Sequence, residues 1–389
     1  MVDIAQHAAL HPEAAGDAGA GRTPVPLTSI DPGQWRALAQ RAIEANGYYL
    51  PAWELAVSAT AHNRTNASAL PAFDRTSPRL IGLMPVMSLW RALRIPLPAL
   101  VSAHPYGTLC SPLIDRDAPI EAAAVLLQQA RAAGAHALVL NDVALDGAAM
   151  NAIEQVLTHD GLRPRVLSSY LRASLDATQD AETLLREALG TKKLKELRRQ
   201  RHRLEEHGPV TFDVARRIDD IKPALETFLQ LEASGWKGKR GTALVQHPGN
   251  AAFVRRAVPA LAETAQCEVV TLRAGTIPVA AGIVLRHQDR AFFFKLGIDE
   301  RFARFSPGVQ LTLDLTRHLC ADPAIASADS TANADHPMIN PIWRGRFAVG
   351  DVLVPLRRHD PMVALIHGAV AAHGAAYEAM RRAVRLLRR

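Results

Sequence analysis

Cysteine is scarce and scattered. Cys110, Cys267 and Cys320 are the three in the chain, odd in number and with no C-x-x-C pair. That argues against a disulfide-stapled scaffold and a zinc knuckle or dithiol centre, and it points to a reduced, cytoplasmic protein without a metal. Long apolar runs are missing too. The most hydrophobic stretch, IGLMPVMSLWRALRIPLPAL from Ile81 to Leu100, holds Arg91, Arg94 and three prolines, which makes it a poor membrane helix. A strand followed by an irregular connection is expected there. The opening MVDIAQHAALHPEAAGDAGAGR lacks a basic segment followed by an apolar run, so residues 1–23 read as a flexible tail and not a signal peptide.

Acidic balance is also lacking, with a formal net charge of +7, but the excess is confined to two places. Lys192–Arg203 (KKLKELRRQRHR) carries a net +6 and Arg381–Arg389 (RRAVRLLRR) a net +5, so the remainder holds −4. The global charge therefore says little about partners. The first basic segment has no interleaved aromatics to stack bases, so nucleic acid is not the expected partner, and a solvated connector helix accounts for it. In the second, Tyr377, Met380, Val384 and Leu387 recur at helical spacing opposite arginines. That stripe suits docking on the protein's own core or weak contact with an acidic membrane surface.

What is present is an Ala- and Leu-rich chain, 48% hydrophobic and 389 residues long, enough for two domains. Asp31-Pro32 caps a first helix, and a second follows Pro51. Strand-like runs NASALPAF and SPRLIGLMPVMSL, a helix at 119–133, the strand AHALVLND, a helix near 144–158 and a strand around 165–175 complete a first half over residues 24–178. A long helix from Asp180 to Glu206, with Leu194, Leu197 and Leu204 as a narrow apolar stripe, forms the connector over 179–208. The order then repeats over 209–358: strand VTFDVA, two helices, the meander CEVVTLR, IPVAAGIVLRH and RAFFFKLGI, a helix at 307–320 and the strand AIASADS. Residues 359–389 form a terminal basic amphipathic helix. The fold class expected is α/β (α+β): two tandem copies of one plan, each a mixed, mostly antiparallel sheet flanked by helices.

One junction stands out: Arg304-Phe305-Ser306-Pro307-Gly308-Val309-Gln310 feeds a strand into a helix. Ser306 fits an N-cap, Pro307 the first helical position, and Gly308 lets a ligand approach the backbone. Free amides and the helix dipole would then face an anion such as a pyrophosphate, with Arg301 or Arg304 as a second contact. A well-capped helix with no ligand is the competing reading.

The order strand, two helices, three-stranded meander, helix, strand resembles the GNAT acyltransferases. LEASGWKGKRGTAL (231–244), the YL-PAW stretch near Tyr49–Trp53, FARFSPG (302–308) and DSTANADHPMINPIW (329–343) resemble the CelD-like branch, whose members are similar to FemAB proteins in carrying two GNAT-like folds. The resemblance implies acetyl-CoA or another acyl-CoA as co-substrate, bound by residues 304–310. It also implies a donor arm lying between strand Phe292–Ile298 and strand Ala324–Asp329, where a main-chain N–H polarises the thioester. This junction matches the usual GNAT phosphate loop only loosely.

Asp329, at the end of the last core strand, and His336 after it are the candidate catalytic proton acceptors. An Asx-turn at Asp329 and a structural His336 are the alternatives. Trp236, Lys237 and Arg240, in a Gly-rich loop, are candidates for the substrate pocket, although Trp236 and Trp343 could equally cover the core edge. Lys295, interrupting an apolar strand, reads as part of a solvated face. The first half has no Ser-Pro-Gly equivalent, so it is expected to have lost cofactor binding and to wall the acceptor groove. The leading function is N-acyl transfer from acyl-CoA to a small amine, with an amino sugar or envelope precursor implied by the resemblance. Aminoacyl-tRNA-dependent transfer of the FemAB kind and a non-catalytic scaffold are the alternatives.

Overall fold

The computed structural model describes residues 24–64 and 66–387; the tail expected over residues 1–23 lies outside them. In the first half, strand β1 (Val25–Pro26) leads to helices α1 (Pro32–Arg41) and α2 (Pro51–Thr60). Strands β2 (Ser68–Phe73) and β3 (Leu80–Ser88) come next, then α3 (Leu89–Leu93), β4 (Ala99–Ser102), β5 (Leu113–Ile114), α4 (Pro119–Ala132), β6 (Ala137–Ala144), α5 (Ala148–His159) and β7 (Arg165–Asp176). Asp31 caps α1 by accepting from Gln34 N at 2.7 Å, with Pro32 at the first helical position.

The connector is α6 (Ala181–Leu204), capped by Asp180 and broken at Gly190, whose backbone (φ 68°, ψ 164°) is not helical. Its leucine stripe, Leu194, Leu197 and Leu204, is buried, and Lys192, Lys195, Arg198 and Arg199 are exposed. The second half runs β8 (Val210–Ala215), α7 (Ile218–Ser234), α8 (Trp236–Lys239), α9 (Pro248–Ala262), β9 (Cys267–Ala274), β10 (Ile277–His287), β11 (Arg290–Ile298), α10 (Pro307–Cys320), β12 (Ser327–Asp329) and β13 (Gly345–Pro355). Helix α11 (Pro361–Leu387) ends the described chain; Val363 and Ile366 anchor its start, and Tyr377 and Met380 are exposed near its end.

All the strands join one mixed, mostly antiparallel sheet in the order β1-β2-β3-β4-β6-β13-β7-β12-β11-β10-β9-β8, with β5 on β3. The two halves are built alike. Each has a meander leading to a short parallel pair, β4 with β6 in the first and β11 with β12 in the second. The halves then exchange strands. Strand β7 leaves its own half to pair antiparallel with β12, β13 returns to pair with β6, and the two exchanged strands pair with each other in the middle of the sheet.

A fully buried arginine pins this crossing. Arg172 on β7 donates to Asp329 on β12 at 3.2 Å and to the Tyr170 hydroxyl, and it lies 3.7 Å from Asp142 on β6. The helical layer is shared as well, because α2 of the first half packs on α9 of the second. Trp53, fully buried, meets Phe253 and Phe294 edge-on, each at 4.8 Å between centroids. Burying side chains of this size stabilises by roughly 1.5–3 kcal/mol apiece, so one core serves both halves.

Three strands differ from the sequence-based expectation. Strand β4 starts at the end of the stretch read as an irregular connection, where prolines and a loop around Leu100 and Val101 hide the strand period, and β5 is only two residues long. Strand β13 is long, but its glycines, Gly345 and Gly350, and its mixed pattern resemble loop sequence.

Candidate active site

The parallel pairing of β11 with β12 stops after three residue pairs, the last being Phe292 with Asp329. Strand β11 continues to Ile298 while β12 ends, so the sheet parts there. Within the same segment β11 bulges: its register against β10 passes from Lys295 opposite Ile283 to Phe293 opposite Val284, leaving Phe294 as the extra residue. A bulge leaves that residue's main-chain groups outside the ladder and available.

A cavity of 610 Å³ fills the gap. One end is formed by Ala303, Ser306, Pro307, Gly308 and Val309, at the start of α10. The first amides of a helix have no intrahelical acceptor and carry the positive end of its dipole. Ser306 does not cap them with its side chain; it adopts a left-handed backbone (φ 52°, ψ 52°) and makes no side-chain cap bond, which corrects the expectation drawn from Ser-Pro. Gly308 is tightly set. A Cβ there would lie 3.0 Å from Leu296 Cδ2 and 3.3 Å from Met338 Sδ.

The first half lines the same cavity through Tyr48, Tyr106, Gly107 and Thr108, together with Phe294, Lys295 and Lys237 of the second. Tyr48 is fully buried, its pKa pushed up by burial, and its hydroxyl has no hydrogen-bond partner among the described residues. Gly107 is required beneath it, since a Cβ would sit 2.3 Å from the Tyr48 ring. Thr108 Oγ1 donates to Thr331 O at 3.1 Å, and Thr331 Oγ1 donates to Phe293 O at 2.6 Å, tying the first-half loop across the parted strands.

Of the residues expected from sequence, Ser306, Pro307, Gly308, Val309, Lys237 and His336 line this cavity. Others turn elsewhere. Arg304 lies over the Phe305 ring at 4.6 Å, Phe305 is buried in the core, and Gln310 donates from Nε2 to Leu197 O at 2.8 Å. Arg301 pairs with Asp299 at 2.7 Å. Asp329 is buried against Arg172 and also accepts from Thr331 N at 2.7 Å, the Asx-turn geometry. Trp236 opens α8, its side chain lying outside the described residues, and Arg240 is exposed after that helix. Burial holds the His336 pKa below its ordinary value. Its Nδ1 accepts from Met338 N (3.3 Å) and Ile339 N (3.4 Å), which puts the neutral ring's proton on Nε2.

Lys295 is not on a solvated face. Its side chain is one quarter exposed, its ammonium stands 3.7 Å from Glu232 and near the Tyr106 and Phe294 rings, and burial followed by the charge of Lys237 lowers its pKa to about 8. The corresponding gap in the first half, between β4 and β6, is filled: Asn141 N donates to Ser102 Oγ at 2.9 Å and Cys110 N to Asp142 O at 3.1 Å.

A meander, a parallel pair that parts beside a bulge, and a helix start facing the gap are together a recognisable arrangement. Residues 191–336 match the family described as "Acetyltransferase (GNAT) domain". Residues 191–336 therefore carry a GNAT-type fold. Solved structures are similar in fold over most of the chain. FemX is similar with a TM-score of 0.56 at 13% identity, over 87% of this chain and 98% of that one. The C-terminal domain (DUF2156) of a putative lysylphosphatidylglycerol synthetase from Agrobacterium fabrum gives 0.52 at 12%, over 87% and 96%. L-PGS from Bacillus licheniformis gives 0.51 at 12%, again over 87% and 96%. No curated protein matches the chain. Among the described residues, no group of side chains is suited to a metal ion, and no helix is long and apolar enough to cross a membrane. The parted strands and the start of α10 both lie within the residues that match the GNAT domain.

Proposed function

We propose that the protein is an N-acyltransferase of the CelD-like kind, carrying an acetyl or other acyl group from acyl-CoA to a small amine. The observation that carries the reading is the cavity that joins the start of α10 to a pocket walled by the first half. Its α10 end suits the donor's pyrophosphate, with the amides of Gly308 and Val309 as donors and no side chain on Gly308 to obstruct them. The bulge at Phe294 suits a thioester carbonyl, whose developing negative charge a main-chain N–H would stabilise. His336, with a proton on Nε2, and Tyr48 are further donors at the cavity wall. Asp329 is committed to Arg172, so the acceptor amine's proton leaves through water in the open cleft. The filled gap of the first half supports a division in which residues 24–178 wall the acceptor pocket and residues 209–358 hold the donor.

Calorimetric titration with acetyl-CoA and CoA tests this. Wild type should bind both. Val309→Asp, which adds a carboxylate at a helix position where it favours folding, should lose binding while keeping its circular dichroism. Failure of wild type to bind acetyl-CoA and longer acyl-CoAs overturns the reading.

A second reading, aminoacyl transfer from charged tRNA, is favoured by the FemX likeness and the exposed cations of α6. It requires tRNA binding that weakens steeply with salt; no tRNA affinity at low salt removes it.

A further inference from the structure

The charge at the acceptor end of the cavity is unbalanced. Lys237 and Lys295 share one carboxylate, Glu232, at 3.2 Å and 3.7 Å, and the second oxygen of that carboxylate accepts from Leu244 N at 2.9 Å. Arg64 adds a third cation, over the same Tyr106 ring that Lys295 approaches, at 5.4 Å against 5.8 Å for the lysine. Glu54 is fully buried, and burial raises its pKa well above the ordinary carboxylate range against the charge of Arg64, while His104 is held neutral by burial and by Arg64. Two lysines therefore share one carboxylate at the cavity wall, with Arg64 on the Tyr106 ring beside them and the Tyr48 hydroxyl nearby. Cations kept out of bulk water without matching anions are costly unless a ligand supplies the charge.

We infer that Lys295 and Lys237 form an anion subsite for the acceptor, so that the amine acylated here also carries a carboxylate or a phosphate. That the bound anion belongs to an acceptor rests on the acyl-transfer reading, but the subsite stands on its own geometry. Lys237 is doubly placed for the task, since its ammonium also donates to Leu296 O at 3.0 Å on the strand that flanks the donor's path. An anion held there would fix the acceptor between the first-half loop and Phe294, with its amine directed at the bulge.

The test is competitive labelling of lysines with trace acetic anhydride, read residue by residue by mass spectrometry, on the full chain. Inorganic phosphate, acetate and malonate are the probes, with sodium chloride at matched ionic strength as the control. An anion bound beside Lys295 raises the lysine's pKa, and a rise of one unit cuts its reactive neutral fraction roughly tenfold near neutral pH. Labelling of Lys295 and Lys237 should fall by about that factor with a bound probe, while exposed Lys193 is unchanged. Protection by phosphate alone assigns a phosphate-bearing acceptor; protection by acetate or malonate assigns a carboxylate. Lys237→Met should weaken protection of Lys295.

Equal labelling of Lys295 with every probe and with chloride overturns the subsite. So does protection by CoA that no small anion reproduces, since the lysines would then belong to the donor. If small anions protect but acyl-CoA does not bind by calorimetry, the subsite survives and the transferase reading fails.

Discussion

The buried pair of Arg172 and Asp329 offers the sharpest single test, because the same aspartate is the sequence's candidate base. Both side chains are fully buried and their atoms approach to 3.2 Å. Removing one partner of such a pair costs about 3–5 kcal/mol, since it strands the other charge away from water. In Asp329→Asn the guanidinium keeps Asp142 at 3.7 Å and the Tyr170 hydroxyl, and the Asn oxygen can still accept from Thr331 N. The loss should therefore sit near the low end, about 3 kcal/mol. Arg172→Met leaves a buried carboxylate with the Thr331 amide as its remaining partner and should cost more, about 4 kcal/mol. The double variant Arg172→Met/Asp329→Asn should recover about 2–3 kcal/mol relative to the sum of the singles. Denaturant unfolding of the four proteins measures the cycle. An Asp329→Asn protein as stable as wild type but inactive in acyl transfer would refute the structural role and restore Asp329 as the base.

Other expectations concern the cavity's first-half wall. Gly107→Ala forces a Cβ to within 2.3 Å of a buried ring that has nowhere to move, and should cost about 1–3 kcal/mol or more; stability within about 0.5 kcal/mol of wild type, the range of a neutral change, would show that the Tyr48 ring is not fixed. Tyr48→Phe removes a buried hydroxyl that has no partner, so unfolding should be unchanged or slightly harder, and a clear loss of stability would mean that the hydroxyl is bonded. Burial raises the Glu54 pKa well above its ordinary 4.5. The folded state thus holds a proton that the unfolded chain releases, and Glu54's contribution is full below the unfolded pKa and is lost as pH rises towards the folded one. Glu54→Gln should flatten that decline, which approaches about 1.4 kcal/mol per pH unit while the folded group stays protonated; parallel stability profiles for the two proteins would show that Glu54 is ionised in the fold.

The local elements were readable where one period dominates. Strand β8 and helix α10 fall at the expected residues because alternation and the Pro-Gly start leave one interpretation. The part of the cavity wall at the start of α10 was readable for the same reason, since Ser306–Val309 is a local motif. The first-half part of the wall was not. Tyr48, Gly107 and Thr108 reach the site only because α2 packs on α9 and a loop crosses the parted strands, contacts more than a hundred residues apart in sequence. Lys295 left a signal, a charge inside an apolar strand, but nothing local separates a solvated lysine from one facing a cavity. Asp329 shows the reverse: its position at a strand end suggested chemistry, and its partner, Arg172, came from a strand exchanged between halves.

That exchange constrains how the chain can be made. Strand β6 pairs with β4 on one side but finds its second neighbour only when β13 arrives, with Leu138 meeting Val354, so the centre of the sheet closes roughly two hundred residues after β6 is synthesised. Until then β6 and β7 both present unpaired edges to the cell, the kind of surface that invites pairing with other chains. A fragment ending before Gly345 would retain most helices and the whole cavity wall, yet would carry a permanent open seam. For the ribosome, the first half is finished only once β13 of the second has been made.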